Sequence, residues 1–418
     1  MGGAVVGLVD LYATAYILLL GAHSFQIALL VSLPLFLASL IQLKAPYLME
    51  KIGSRKRMVQ SSIGIIALTS FLMGFAFLLG NAGVNAIIIG FCIYQIAQQL
   101  VVPARSSWVG DVVDENKRGE FFGHRTKLHH IAIFVASLIA GFFLKWMTNR
   151  WHMAAIGFCI VYCAGALVQI LSLPLLKKID DPPFVPHPKE NRPSFSNFLK
   201  NIFQNNYGRF VVYACLVNFA IFISHTFVSP YLLEDLKINY FIFSVLFATL
   251  VVAKFAFYPI WGNLADKLGN KNVLIFTGLF FGLSHLLWLF SHHLFYLFCV
   301  QAFRGIVWSG FDIVLLKFLL DATTAKNRPA YISYYGALNG MAALCGGMAG
   351  GLLVHNHLFF SSYYLAFITA SVVQVVAWLI LIPKITEPKR HKPLETILET
   401  SLPMAGEAVS PGESVPKA

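Results

Sequence analysis

The sequence predicts an all-α polytopic membrane protein, with twelve transmembrane helices in two pseudo-symmetric six-helix bundles. Three observations carry that prediction. Hydrophobic residues fill 57% of the 418 positions and charged residues only 12%, with a mean hydropathy of +0.70. A soluble chain has about a quarter of its residues charged, so this surface requires lipid as its solvent. Apolar runs near the ~20 residues needed to cross a bilayer recur twelve times, and one charged, glycine-bearing turn occurs twice at equivalent places.

The runs lie at roughly 4–21, 25–48, 58–80, 85–106, 127–148 and 153–175, then at 209–229, 240–262, 273–290, 294–320, 331–354 and 362–384. Helices are the expected element, because an open sheet in lipid leaves backbone groups unpaired. The first run begins almost at Met1 without a basic stretch before it, so its helix is expected to be short at that end and no cleavable signal is evident. The six cysteines all lie inside apolar runs without CxxC spacing, and read as small buried residues.

Orientation follows from lysine and arginine. Of the 31, 25 fall on the side of the two termini, and only Lys145, Arg150 and Lys237 fall on the other. The positive-inside rule then places both termini in the cytoplasm, in a cell (inner or plasma) membrane. The net charge of +12 is met by the membrane surface; no continuous basic face exists, so nucleic acid is not an expected partner. The segmentation is 1–175 for the N-terminal six-helix bundle, 176–208 for a cytoplasmic linker, 209–384 for the C-terminal bundle and 385–418 for a disordered tail. Within the linker, Phe195, Phe198, Leu199, Ile202 and Phe203 share one face, which predicts a short helix on the membrane surface.

The repeated turn is LMEKIGSRK at 48–56 and LADKLGNKN at 264–272. Glu50 and Gly53 align with Asp266 and Gly269 at an offset of 216. Asp111 and Arg118 form a D-x6-R pair after the fourth run, and Asp321 and Arg328 repeat it after the tenth. Ala136, Ser137, Ala140 and Gly141 in the fifth helix match Gly346, Gly347, Gly350 and Gly351 in the eleventh, two stripes that allow close helix approach in lipid. Leu8-Val9-Asp10 aligns with Leu216-Val217-Asn218. Four matches in one order indicate two related halves in the same orientation.

At these residues the sequence resembles the major facilitator superfamily. The stretch Gly262-x-Leu264-Ala265-Asp266-Lys267-x-Gly269-x-Lys271 is similar to that family's signature loop, and the resemblance runs to about residue 384. It implies six-helix halves about a central cavity, lined by helices 1, 2, 4, 5, 7, 8, 10 and 11, with alternating access. It also implies gating roles for Glu50, Gly53, Asp111, Arg118, Gly262, Asp266, Gly269, Asp321 and Arg328. Asp266 is expected to face a helix N-terminus of the other half; alternatively, these are hydrophilic turns that set topology. Pro46 stands where the family has its first glycine, so the gating expectation is firmer for the second half.

Ionisable groups inside a bilayer mark cavities or partners. Here they are Asp10, Lys44, Lys254, Arg304 and Asp312, with His285 the one ambiguous case in helices 3, 6, 9 and 12. Arg304 either binds an acid group or pairs internally with Asp312 or Asp10. Lys254 reads as a midplane binding group or a paired structural lysine, and Lys44 as a lysine near the inner surface. Asp10 is the candidate carrier of a coupling proton, alternatively a fixed countercharge, with Asn218 its counterpart in the other half. Gln95 and Gln98, with Gln99, could bind a polar solute or bond other helices.

The expected function is secondary active transport of a small organic solute, with the extra positive charge pointing to an anionic one and proton-coupled uptake the leading direction. Proton-coupled efflux and a non-transporting sensor or scaffold are the alternatives. No nucleophile motif, phosphate loop or metal-ligand spacing is present, so neither an enzyme nor a cofactor nor a metal site is expected. The fifth helix lacks the antiporter family's glycine–proline pattern, and the peptide- and sugar-porter patterns are also missing. The expected partners are a small-molecule substrate, the bilayer and a coupling ion, and the expected state is a monomer.

Overall fold

The computed structural model describes residues 1–112, 118–177, 179, 195–321, 328–355 and 362–387. Among these described residues, twelve helices are long and apolar enough to cross a membrane. They are α1 (Gly2–Leu19), α2 (Ser24–Gln42), α3 (Arg55–Gly74), α4 (Ala76–Val102), α5 (His124–Trp151) and α6 (Ala154–Leu176), then α7 (Asn206–Asp235), α8 (Tyr240–Leu268), α9 (Asn270–Leu289), α10 (Leu294–Leu319), α11 (Tyr331–His355) and α12 (Tyr363–Lys384). Each span reverses the direction of the one before it. The even number returns the chain to the end at which it began, here the terminal end; the opposite end is the distal end.

Some boundaries depart from the hydropathy runs. The second run, expected to 48, is broken at Leu43–Lys44, and a separate short helix follows at Ala45–Ile52. Proline at the second position of that short helix explains the break, since it has no amide hydrogen to continue the α2 ladder and its ring crowds the carbonyl four residues back. Lys44 therefore occupies a turn and not the interior of α2. The third run, expected to 80, stops at Gly74, and α4 opens with a 3-10 segment over Ala76–Ala82, with Gly80 at φ +54.

The repeated turn is built on positive φ. Gly53 (φ +68) and Gly269 (φ +88) both take backbone conformations that side chains disfavour. The helix that follows each is capped differently. Ser54 Oγ accepts the Arg57 amide at 3.0 Å to cap α3. Gly269 has no side chain to offer, and the carboxylate of Glu387 accepts the amides of Asn270 (2.7 Å) and Lys271 (2.6 Å) at the start of α9. Thr386 exchanges two hydrogen bonds with the side chain of Asn206, at 2.7 and 2.8 Å. Residues 385–387, expected within a disordered tail, are therefore docked, because the helix start needs an acceptor that its own sequence lacks. The rest of the tail, from 388, lies outside the described residues, as does the linker over 181–194.

The short linker helix is present at Phe195–Lys200. Phe198 is buried against Tyr207, Tyr331 and Tyr334, while Phe195, Leu199 and Phe203 remain exposed. Its anchor is thus a ring cluster on α7 and α11.

The small-residue stripes of α5 and α11 each meet two partners. Gly346 and Gly350 lie against the α7 backbone at Phe219 and Ile223, within their own half. Gly347 and Gly351 face Ser32 and Ala28 of α2, in the other half, and Gly340 continues that seam against Ser39. On α5, Ala136 and Ser137 pack on Gly7 of α1, and Gly141 faces Tyr240 and Ser244 of α8. The halves therefore meet along two pseudo-equivalent seams, α2 with α11 and α5 with α8, where small residues let backbones approach.

One apolar core runs through the N-terminal half and into the distal part of the C-terminal half, through Phe227, Tyr231, Leu232, Phe243 and Leu246. A second core is confined to residues 198–385.

Candidate functional site

Where the halves face each other, a cavity of about 360 Å³ opens between α1, α2, α4, α5, α7 and α8. Its wall is mostly aliphatic and aromatic, including Leu11, Leu30, Val31, Phe91, Phe247 and Val251. Polar groups are few: Asp10, Thr14 and Gln95 with Ser137 from one half, and His225, Thr226 and Ser229 from the other. This composition, apolar with a handful of oriented polar groups, is that of a small-molecule pocket.

Asp10 is the one ionised-type side chain of that wall. It ends a π-helical turn at Val6–Asp10, a one-residue insertion of the kind that re-aims side chains at functional sites. Gln95 Nε2 donates to Asp10 Oδ2 at 3.2 Å, and the buried Tyr94 hydroxyl is a second hydrogen-bonding neighbour of the carboxyl. A carboxyl group whose partners are neutral can take up a proton without breaking an ion pair.

Beside the cavity, Tyr12 of α1 spans the seam between the halves. Its hydroxyl bonds the Ser137 carbonyl on α5 at 2.5 Å and the Ser244 hydroxyl on α8. Ser244 in turn donates to the Tyr240 carbonyl at 2.7 Å.

The other membrane charges sit in the C-terminal half and do not line the cavity. Lys254 Nζ pairs with Asp312 Oδ2 at 2.7 Å, Tyr258 donates to the same oxygen at 2.9 Å, and the ammonium lies 4.4 Å from the Trp308 ring centre. Arg304 is buried, with its guanidinium 5.5 Å from the Trp288 ring centre. His285 bonds Ser224 (2.7 Å) and Gln374 (3.0 Å), joining α7, α9 and α12.

Of the residues singled out in the sequence, Asp10 and Gln95 come together in the cavity. Gln98 turns to Tyr94 (3.1 Å), and Asn218 donates to the Asn339 carbonyl on α11 (3.0 Å). Lys254 and Asp312 come together apart from Arg304. Among the turn residues, Asp266 contacts Lys317 of its own half at 2.9 Å. Glu50 is exposed, and a side chain at Gly262 would find open space. The side chains of Asp111, Arg118, Asp321 and Arg328 lie outside the described residues. Sequence reasoning missed Thr14, Thr226 and Ser229, whose only signal is a small hydroxyl in a greasy helix, and Gln301 and Gln374, lone amides in apolar runs.

The Major Facilitator Superfamily profile matches residues 3–230 and 214–412. The chain belongs to the major facilitator superfamily. It is a multi-pass integral membrane protein. Over 120 residues it is 36% identical to the tetracycline resistance protein, class H, of Pasteurella multocida, a stretch covering 29% of each chain. Over 101 residues it is 31% identical to vacuolar basic amino acid transporter 1 of Saccharomyces cerevisiae, covering 24% of this chain and 18% of that protein. The chain thus spans less than a third of the length of these relatives. A crystal structure of the nucleoside transporter NupG shares the fold, with a TM-score of 0.73 at 14% identity, covering 92% of this chain and 97% of that one.

Proposed function

We propose that this major facilitator is a proton-coupled secondary transporter that moves a small, amphipathic organic solute through the cavity between its halves. The observation that carries the reading is Asp10, a single carboxyl held by the neutral side chains of Tyr94 and Gln95, set in an otherwise mostly apolar wall built by both halves. Protonation there changes the charge that a bound solute meets, and so links proton occupancy to solute binding. The apolar wall supports a solute with a substantial hydrocarbon or aromatic body.

The lysine and arginine distribution supports cytoplasmic termini in a cell membrane. The distal end then faces outward. The apolar core that the halves share lies toward that end, which supports a conformation closed on the outer side.

Export is the direction favoured by the relative named for tetracycline resistance. Uptake is the second reading, supported by the lack of proline between Phe134 and Leu144, where the family's antiporters carry their pattern.

Proteoliposomes carrying the purified protein, screened over drugs, amino acids and nucleosides with proton gradients of either sign, test the reading. A gradient-driven solute flux is expected, and its sign gives the direction. In Asp10→Asn, gradient-driven accumulation is expected to vanish while solute exchange at equal concentrations persists. Unchanged accumulation in that variant would overturn the role of Asp10.

A further inference from the structure

Arg304 is only 1% exposed, yet its Nε and Nη2 have no hydrogen-bond partner among the described residues. An ionised guanidinium in a dry interior is costly unless paired, and arginine does not escape by losing its proton. Its electrostatic neighbours are His225 and His285, which bring no negative charge. The acid on its own helix, Asp312, is held by Lys254 and Tyr258. Asp10 belongs to the other half and takes its hydrogen bond from Gln95.

On α10 itself and on the neighbouring α9 and α12, further buried polar atoms are unmet: Trp288 Nε1, Gln374 Nε2 and both amide atoms of Gln301. The Trp288 ring lies under the guanidinium, Gln301 is one turn before Arg304 on α10, and Gln374 bonds His285, one turn before Trp288 on α9. Counting Arg304, the unmet atoms are five donors and one acceptor. A water molecule needs acceptors for its own hydrogens, whereas an anion takes donors alone. The surplus of donors around a positive charge therefore selects for negative charge.

We propose that the C-terminal half binds a small anionic group at Arg304, between α7, α9, α10 and α12, with Trp288, Gln301 and Gln374 completing a shell of donors. The group is either a free inorganic anion or the acid group of a solute. Both sources are open because His225 is shared: it neighbours Arg304 and also lines the central cavity. The site is distinct from Asp10, which lies across the cavity in the other half.

The test uses the full-length protein in detergent, prepared in sodium gluconate, an anion too bulky for a buried site. Gluconate is replaced by chloride, nitrate, acetate or inorganic phosphate at constant ionic strength while Tm is followed by tryptophan fluorescence. A saturable rise of several degrees is expected for the wild type. Arg304→Gln removes the charge, and Gln301→Glu places a built-in carboxylate one turn away. Gln301→Glu is expected to be at least as stable as the wild type in gluconate and to lose the response, which keeps the test decisive if Arg304→Gln does not fold. A response to chloride or nitrate identifies a free inorganic anion. A response to phosphate likewise identifies a free inorganic anion, and one confined to acetate identifies the carboxylate of a solute. No saturable rise with any of these anions, or a rise unchanged in Gln301→Glu, overturns the proposal. Binding is read without transport, so that failure leaves the transport reading standing.

Discussion

Lys254 of α8 and Asp312 of α10 form an ion pair at 2.7 Å that ties two helices of the C-terminal half together, with Tyr258 donating to the same carboxylate oxygen. The side chains are 18% and 31% exposed, so the pair is neither dry nor fully solvated. Removing one partner leaves the other charge poorly compensated. Asp312→Asn is expected to lower stability by about 1–3 kcal/mol, between the values for surface and buried pairs. The double variant Lys254→Met with Asp312→Leu is expected to recover most of that loss. Thermal unfolding of the wild type, Lys254→Met, Asp312→Leu and the double variant in detergent gives the coupling; additive losses would show that the contact contributes nothing.

Glu387 supplies the cap that α9 lacks. Glu387→Gln keeps one acceptor but loses the charge at a helix N-terminus, an effect of about 0.5–1.5 kcal/mol on that helix start. Hydrogen exchange at the Asn270 and Lys271 amides is expected to accelerate, while exchange in the middle of α9 stays unchanged. Equal protection in both proteins would mean that the contact is incidental.

The α2–α11 seam tolerates no added bulk at Gly347, where a Cβ would stand 2.8 Å from both Ser32 Cβ and Oγ. Gly347→Val is expected to lower Tm by several degrees and to reduce transport. Gly64 on α3 is the control, since a Cβ there meets nothing within 4 Å. Gly64→Ala is expected to be neutral or mildly stabilising, by up to about 1 kcal/mol from helix propensity. The contrast separates packing at the seam from a general dislike of change at glycine.

Orientation can be read with single reporter cysteines in a background whose six native cysteines are replaced by alanine. Glu50→Cys, in the terminal-end turn, is expected to react with an impermeant maleimide only after the membrane is opened. Lys237→Cys, in the turn between α7 and α8, is expected to react from outside intact cells. The reverse pattern would invert the topology that the charge distribution supports.

Much of the fold was legible in the sequence, because in lipid the constraint is local: every spanning segment must satisfy its own backbone and present apolar side chains. Hydropathy located twelve helices, and the matched turns at Gly53 and Gly269 gave the repeat. The broken end of α2 was less visible, since Leu43 and Lys44 sit in an apolar run and only the nearby proline marks the turn. Pairing was not legible at all. Arg304 and Lys254 were both candidates for Asp312. Arg304 lies eight residues earlier on the same helix, about 12 Å along its axis, whereas Lys254 reaches across from α8. Nothing in periodicity chooses between a neighbour in sequence and one in space. The docked tail was hidden for the same reason: Glu387 has no apolar pattern around it, and its place is set by the amides of a helix more than 100 residues away.

The two glycine edges of α11 carry a consequence for how this protein can change over evolutionary time. Gly346 and Gly350 press on α7, and Gly347 and Gly351 press on α2. A methyl group gained on one edge would push the helix toward the partner on the other, where there is no slack to receive it. Most helices answer a substitution by sliding away from it; α11 cannot retreat from one half without advancing on the other. The variation open to those four positions is therefore very narrow, and wherever drift does occur along this helix, it should be found on the remaining face.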